Sequence, residues 1–336
     1  MVKPVATLLL CLALAFSPPA APRVVAVGDI HGDFDAFAAI LQRAALLDTN
    51  RHWSGRDATL VQTGDFLDRG PKSRAVMDLL MRLQKEASRQ GGRVLVLLGN
   101  HEAMNMFGDL RYVTESDYAS YVDDKSESRR KASGASVPLG FVEHREAFGP
   151  GGKYGKWLRS LPAIVKVNET IFLHGGLKVD FASWKVDQIN EAVAAEVKLF
   201  DASRKYMIDQ KLATALSTLK ELADAANAAG LDANHKKALE PFLRYGSWLT
   251  INTDGPLWFR GFAQWSDAEG NATIRQLASA FGVKRFVVGH TPQEGTIVPR
   301  FDGQVVLIDT GMLSSTFAGG RASALEILGD KVTPIY

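Results

Sequence analysis

Gly64-Asp65-Phe66-Leu67-Asp68-Arg69-Gly70 sets two carboxylates three residues apart, then a guanidinium, between glycines that let the backbone turn sharply. Residues 58–63 before it, Ala-Thr-Leu-Val-Gln-Thr, read as a short buried strand. Alone, the heptapeptide is also consistent with an exposed polar turn. Working outward, the same grammar recurs. Residues 24–27 run into Gly28-Asp29-Ile30-His31-Gly32, and residues 93–98 into Gly99-Asn100-His101-Glu102. Further on, residues 165–173 stop at His174-Gly175-Gly176, and residues 284–288 at Gly289-His290-Thr291-Pro292.

Between the first three of these strands lie amphipathic helices. Phe34, Phe37, Ile40, Leu41 and Ala44 repeat at helical spacing, as do Val76, Leu79, Leu80 and Leu83 within residues 73–89. Strand and helix alternating at these lengths imply right-handed crossovers and a mainly parallel inner sheet. Polar groups then gather at the carboxyl ends of neighbouring strands, where Asp29, His31, Asp65, Asn100 and His101 fall. The expected fold class is α/β. Val305-Val306-Leu307-Ile308 before Asp309-Thr310-Gly311 reads as another strand, and residues 322–328 as a final edge strand.

The intervening stretches carry weaker patterns. Residues 104–162 lack a clear period, and the mixed charge run of residues 123–131 reads as a solvated, mobile stretch. Residues 187–243 read as largely helical, with Leu212, Leu216, Leu219 and Ala223 on one apolar stripe and Gly230 as a stop. This defines a helical insertion over about residues 181–247 within one domain, residues 22–336.

Of seven histidines, His31, His101, His174 and His290 stand directly beyond strand ends beside glycine or within one residue of it. His52, His144 and His235 fall in polar context and read as solvated. Imidazole, carboxylate and amide oxygen together suit Mn, Fe or Zn rather than Ca. There are donors enough for two divalent transition-metal ions with one bridging carboxylate, and Asp65 is central. Paired ions roughly 3.5–4 Å apart can clamp a phosphoryl group for in-line displacement.

The remaining composition bounds the rest. A chain of 336 residues with 46% hydrophobic and 23% charged residues can bury a sizeable core, and a net charge of +2 indicates no nucleic-acid surface. Lys3, an apolar run over residues 5–16 and Ser17-Pro18-Pro19-Ala20-Ala21 form a signal-peptide pattern over residues 1–21. It predicts a periplasmic or secreted protein without stable membrane association once cleaved; the alternative is an uncleaved N-terminal anchor. The sole cysteine, Cys11, lies inside this segment, so a mature chain has no thiol chemistry.

The set Gly-Asp-Ile-His-Gly, Gly-Asp-Phe-Leu-Asp-Arg-Gly, Gly-Asn-His-Glu, His-Gly-Gly and Gly-His-Thr-Pro resembles the calcineurin-like metallophosphoesterases, in their phosphoprotein-phosphatase branch. Leu67-Asp68-Arg69-Gly70, Met104-Asn105 with residues 108–112, and Gly255-Pro256-Leu257-Trp258-Phe259-Arg260 are similar to the Shewanella-like protein phosphatases. The resemblance covers about residues 24–315 and implies an α/β/β/α sandwich with a helical insertion. It implies Asp29, His31 and Asp65 on a first metal, and Asp65, Asn100, His174 and His290 on a second. It further implies His101 as general acid oriented by Asp68, with Arg69 and Arg260 gripping phosphate. Arg260 has the alternative of a surface or salt-bridged arginine, and Arg111 of a loop salt bridge. Many relatives carry a second histidine where this chain has Pro292, which leaves one metal with fewer protein ligands. The implied activity is hydrolysis of phosphate monoesters on phosphotyrosine or phosphoserine/threonine. The alternatives are a hydrolase of small phosphorylated metabolites or dinucleoside polyphosphates, and a non-catalytic scaffold, disfavoured because every ligand is present.

Overall fold

The computed structural model describes residues 22–134 and 136–336. The expected signal peptide, with Cys11, lies outside the described residues. Two five-stranded sheets form the centre. The first, ordered β10-β9-β1-β2-β3, contains β1 Val24–Val27, β2 Thr59–Gln62, β3 Arg93–Val96, β9 Ala324–Leu328 and β10 Lys331–Ile335. The second, ordered β4-β5-β6-β8-β7, contains β4 Ile164–Val167, β5 Thr170–Leu173, β6 Arg285–Val288, β7 Val298–Arg300 and β8 Val305–Leu307. The inner trios β1-β2-β3 and β5-β6-β8 are parallel, and antiparallel strands complete each sheet.

Alternation along the strands divides the core. In β1, Val24 and Ala26 face the second sheet, meeting Phe172, Val287 and Val306. Val25 and Val27 point the other way, toward helices α1 Phe34–Arg43 and α2 Ser73–Arg89. The outer face of the second sheet is likewise covered. From helix α12, Asp267–Phe281, Ile274 and Leu277 pack with Ile171, Leu173, Phe286 and Leu307. The layers are therefore α/β/β/α.

Between β3 and β4 in the chain run α3 Asn100–Phe107, α4 Glu115–Ala119, α5 Ser126–Ser133, α6 Phe141–Phe148 and α7 Lys153–Leu158. Then follow α8 Val186–Asp209, α9 Leu219–Ala226, α10 Ala233–Leu243 and the short α11 Gly261–Gln264. Several local expectations need correction. Residues 165–173 are not one strand but the hairpin β4–β5, turned at Asn168 with φ 53°. The charge run is helical in α5, where Glu127 pairs with Arg130 and Lys131 at helical spacing. The stripe from Leu212 to Ala223 is broken, since residues 210–218 leave the helix before Thr218 caps α9. The strand expected at the edge, β9, is interior, and β10 with Pro334 forms the edge. His144 is buried at 2% exposure against Phe148, Tyr118 and Tyr121.

Candidate metal centre and active site

Parallel strands deliver the site. β1 leads to Asp29 and His31, β2 to Asp65 and Asp68, and β3 to Asn100 and His101 at the start of α3. From the second sheet, β5 leads to His174 and β6 to His290. All eight side chains are 5% exposed or less. His31, Asp65, Asp68, Arg69 and His290 adopt positive φ, between 47° and 68°, without being glycine. Such backbone costs about 1–3 kcal/mol per residue, so the surrounding bonds must hold it. Glycine is required nearby: a Cβ on Gly99 would stand 2.2 Å from Asp65 Oδ1, and one on Gly289 2.3 Å from Asp29 Oδ1.

The hydrogen bonds settle which ring nitrogens face inward. His31 Nδ1 lies 2.9 Å from the Leu67 carbonyl, and His174 Nδ1 2.9 Å from that of Thr63. His290 uses Nε2 instead, 2.9 Å from the Trp258 carbonyl. A carbonyl can only accept, so each of those nitrogens carries the proton. The other nitrogen of each ring presents a lone pair. His174 Nε2 then stands 3.0 Å from Asn100 Oδ1 and 3.2 Å from Asp65 Oδ2. Three electron-rich atoms converge with no proton to share, an arrangement that fits a cation. His31 Nε2 likewise faces Asp29 Oδ2 and Asp65 Oδ2, both at 3.9 Å.

Two groups thus have the reach to hold an ion: Asp65, His174 and His290, and His31, Asp65 and His101. Asp65 belongs to both. Burial drives His31 down to about 3, and drives His290 well below its usual range, so both rings stay neutral as donors. Burial, then the carboxylates of Asp309 and Asp65, push Asp29 well above the usual carboxylate range. A bound cation reverses that preference by its own charge.

His101 differs from the other three. Its Nδ1 lies 2.6 Å from Asp68 Oδ2, and its Nε2 faces Asp65 Oδ2 at 3.8 Å. Burial alone lowers its pKa, but Asp65 and the bonded Asp68 outweigh burial and raise it. Asp68 is itself fixed by Asn105 Nδ2 at 2.9 Å. Arg69 Nη2 sits 3.4 Å from His101 Nε2, and Arg69 Nε is a buried donor with no partner among the described residues. Arg260 donates from Nη1 to the His290 carbonyl at 2.7 Å and to Thr291 Oγ1 at 3.0 Å. It therefore braces the His290 turn. Arg111 pairs with Asp109 and is a loop salt bridge.

Some contributors were not anticipated. Glu102, fully buried, accepts the backbone N–H of Asp65, Phe66, Leu67 and Gly99 at 2.8–3.2 Å. Gln62 bonds Gly28 and Gly64, tying the β1 and β2 loops together. Tyr112 and Phe317 hold their rings 4.7 Å and 5.5 Å from the Arg69 guanidinium. The signal for Glu102 was available: a glutamate three residues beyond a helix-starting glycine reaches back to the helix entrance.

The family model for calcineurin-like phosphoesterases matches residues 22–294. The chain belongs to that family. An uncharacterized protein of Schizosaccharomyces pombe is 34% identical over 90% of this chain and 76% of its own length. Shewanella-like protein phosphatase 1 of Plasmodium berghei is 28% identical over 86% of this chain and 67% of its own. The solved cold-active protein-tyrosine phosphatase of a Shewanella species superposes with a TM-score of 0.65 at 25% identity, covering 94% and 77% of the two chains. The chain is thus a metal-dependent phosphatase, a phosphoesterase of protein-phosphatase-like kind built on divalent ions.

Proposed function

We propose that this metallophosphoesterase hydrolyses phosphate monoesters carried on aromatic alcohols, with phosphotyrosine in a peptide or protein as the preferred substrate. The observation that carries this reading is the aromatic slot around Arg69. Tyr112, 38% exposed, and Phe317, half-buried, flank the guanidinium, and their rings lie 5.0 Å from His101 and 5.7 Å from His31. A flat ring ester entering between them keeps its phosphate at Arg69 and its bridging oxygen near His101. The kinship with a Shewanella protein-tyrosine phosphatase supports the same substrate class.

In this reading Asp29, His31 and Asp65 hold one ion, and Asp65, Asn100, His174 and His290 the other, manganese being the first choice. Divalent ions bound there supply Lewis acidity and charge neutralisation for phosphoryl transfer. The protein's own groups do the rest. Arg69 binds phosphate oxygens through its open Nε and its Nη2, and the two aromatic rings restrict its rotamers. His101 carries a proton on Nε2 for the leaving oxygen while Asp68 fixes the opposite nitrogen and stabilises the charged ring. Arg260 acts by holding the His290 turn.

Steady-state rates on a phosphotyrosine peptide, a phosphoserine peptide, a dinucleoside tetraphosphate and an aryl phosphate, with manganese supplied, test the proposal. Tyr112→Leu and Phe317→Leu should raise KM for the phosphotyrosine peptide about tenfold and leave phosphoserine nearly unchanged. Equal effects on both peptides, or faster turnover of the tetraphosphate, would overturn the aromatic assignment. We further propose export across a membrane. Its support is the residue 1–21 pattern, together with a described chain in which no helix is long and apolar enough to cross a membrane. An intact Met1 on cytosolic protein, read by mass spectrometry, would sink this.

A further inference from the structure

A cavity of about 910 Å³ lies between α5–α6 and the segment joining α8 to α9, and no residue of the histidine–aspartate centre lines it. Arg145 from α6 and Arg204 from α8 both line it. Arg145 is only 6% exposed, yet its Nε has no hydrogen-bond partner, and neither has the buried Nε of Arg204. Arg145 makes one long bond to a carbonyl, from Nη2 to Ser217 at 3.4 Å, and Arg204 makes one bond, from Nη2 to the Ala215 carbonyl. Among the described residues, neither has a carboxylate within ion-pair distance. Their neighbours do, since Arg129 pairs with Asp123 and Glu143, and Arg159 with Asp201.

A buried guanidinium beside a half-buried one, with no carboxylate in contact with either, is a costly arrangement, and Asp201, the acid whose charge reaches Arg204, is already paired with Arg159. Burial, and then Arg204, press the Arg145 pKa down to about 10. The C-terminal end of α3 gives partial relief, because a Cβ on Gly108 would lie 2.7 Å from Arg145 Nη2 and the helix end carries a fraction of negative charge. The acidic residues lining the cavity do not fill the gap. Glu221 caps α9 through Thr218, and Glu146 is exposed. Phe141, Val142 and Leu216 supply apolar walls beside the two cations.

We propose that this cavity is a second ligand site, separate from the phosphoesterase centre, for a small amphiphilic oxyanion. A phosphate, sulfonate or carboxylate head sits between Arg145 and Arg204, and an apolar body rests on Phe141, Val142 and Leu216. Planar guanidinium forks suit such a head, and desolvation strengthens the pairing.

Isothermal titration of the metal-loaded full chain with naphthalene-1-sulfonate, which a phosphatase does not hydrolyse, tests this. One sulfonate should bind per chain, without competing against an aryl phosphate substrate in steady-state kinetics. Naphthalene-2-methanol, with the same body but no charge, should bind at least tenfold more weakly. Arg204→Gln should weaken the sulfonate at least tenfold and abolish its stabilisation of the melting temperature, with kcat/KM for the aryl phosphate unchanged. Sulfonate that competes with substrate, binds no better than the neutral alcohol, or binds Arg204→Gln as it binds the native chain overturns the proposal. If Arg204→Gln fails to fold, the competition and neutral-probe arms decide on native protein alone.

Discussion

Glu102 offers the sharpest test of how the central loop is held. Its Oε1 accepts from Phe66 and Leu67, and its Oε2 from Asp65 and Gly99. Glu102→Gln keeps the shape but turns one oxygen into an NH₂, so two of these backbone N–H groups face a donor. An orphaned buried donor costs about 1–3 kcal/mol, so the loss should be about 2–6 kcal/mol. Against a total stability of roughly 5–15 kcal/mol, that is a large fraction. The N–H groups left without support lie along the turn from Asp65 to Leu67, where Asp65 itself holds φ 54°, so the shared carboxylate loses its orientation as well. Urea denaturation of the metal-free chain should show the lowered midpoint, and elemental analysis should show less than two metals per chain. Native stability with full metal content would refute the reasoning; if activity alone then vanished, Glu102 would be a chemical participant.

Asp65→Asn should lose both ions together by elemental analysis, because Oδ2 faces His31, His101 and His174 at once; two retained ions would contradict a shared ligand. His101→Asn should keep both ions while turnover falls by roughly 10²–10⁴. The fall should be smaller for an aryl than for an alkyl phosphate, whose leaving oxygen needs the proton more, and equal losses would mean that His101 only positions. His144 gives a stability signature. Burial holds its folded pKa at about 3 against an ordinary 6.5, so the unfolded chain binds more protons between those values and stability falls as pH falls below 6.5. At pH 5 the loss is about 1.5 units, or about 2 kcal/mol. His144→Phe should shrink the stability difference between pH 7 and pH 5 by about 2 kcal/mol in urea titrations, leaving the share of His31 and His290, and an unchanged difference would assign the acid sensitivity elsewhere.

The inner strands and the residues at their ends were legible because a buried parallel strand is a short β-branched run, and here each run stops abruptly at glycine and a polar group. Helix α2 was legible for a similar reason: Val76, Leu79, Leu80 and Leu83 leave no second reading of its period. The β4–β5 hairpin was not, since Asn168-Glu169 is too short an interruption to break an apolar run. Helix α5 hid because its support is charge pairing, not an apolar face. His144 was misread from its immediate neighbours Glu143 and Arg145. Phe141 and Phe148, three before and four after it, marked the buried face. The aromatic slot could not be read at all, because Tyr112 and Phe317 are brought together only by the tertiary fold.

The centre draws Asp29, Asp65 and Asn100 from one sheet and His174 and His290 from the other. Divalent ions held there would rivet the laminate, closing that end of the apolar layer by ionic attraction rather than by oil-like cohesion. Stripping the ions should therefore loosen the two sheets first along the carboxyl ends of β1, β2, β5 and β6, where the donors of one sheet lose the charge that ties them to those of the other. Helices α1 and α12, glued to the far faces, should not feel it. Amide hydrogen exchange would record this as a local hinge, with protection lost at the strand ends long before the sandwich as a whole unfolds.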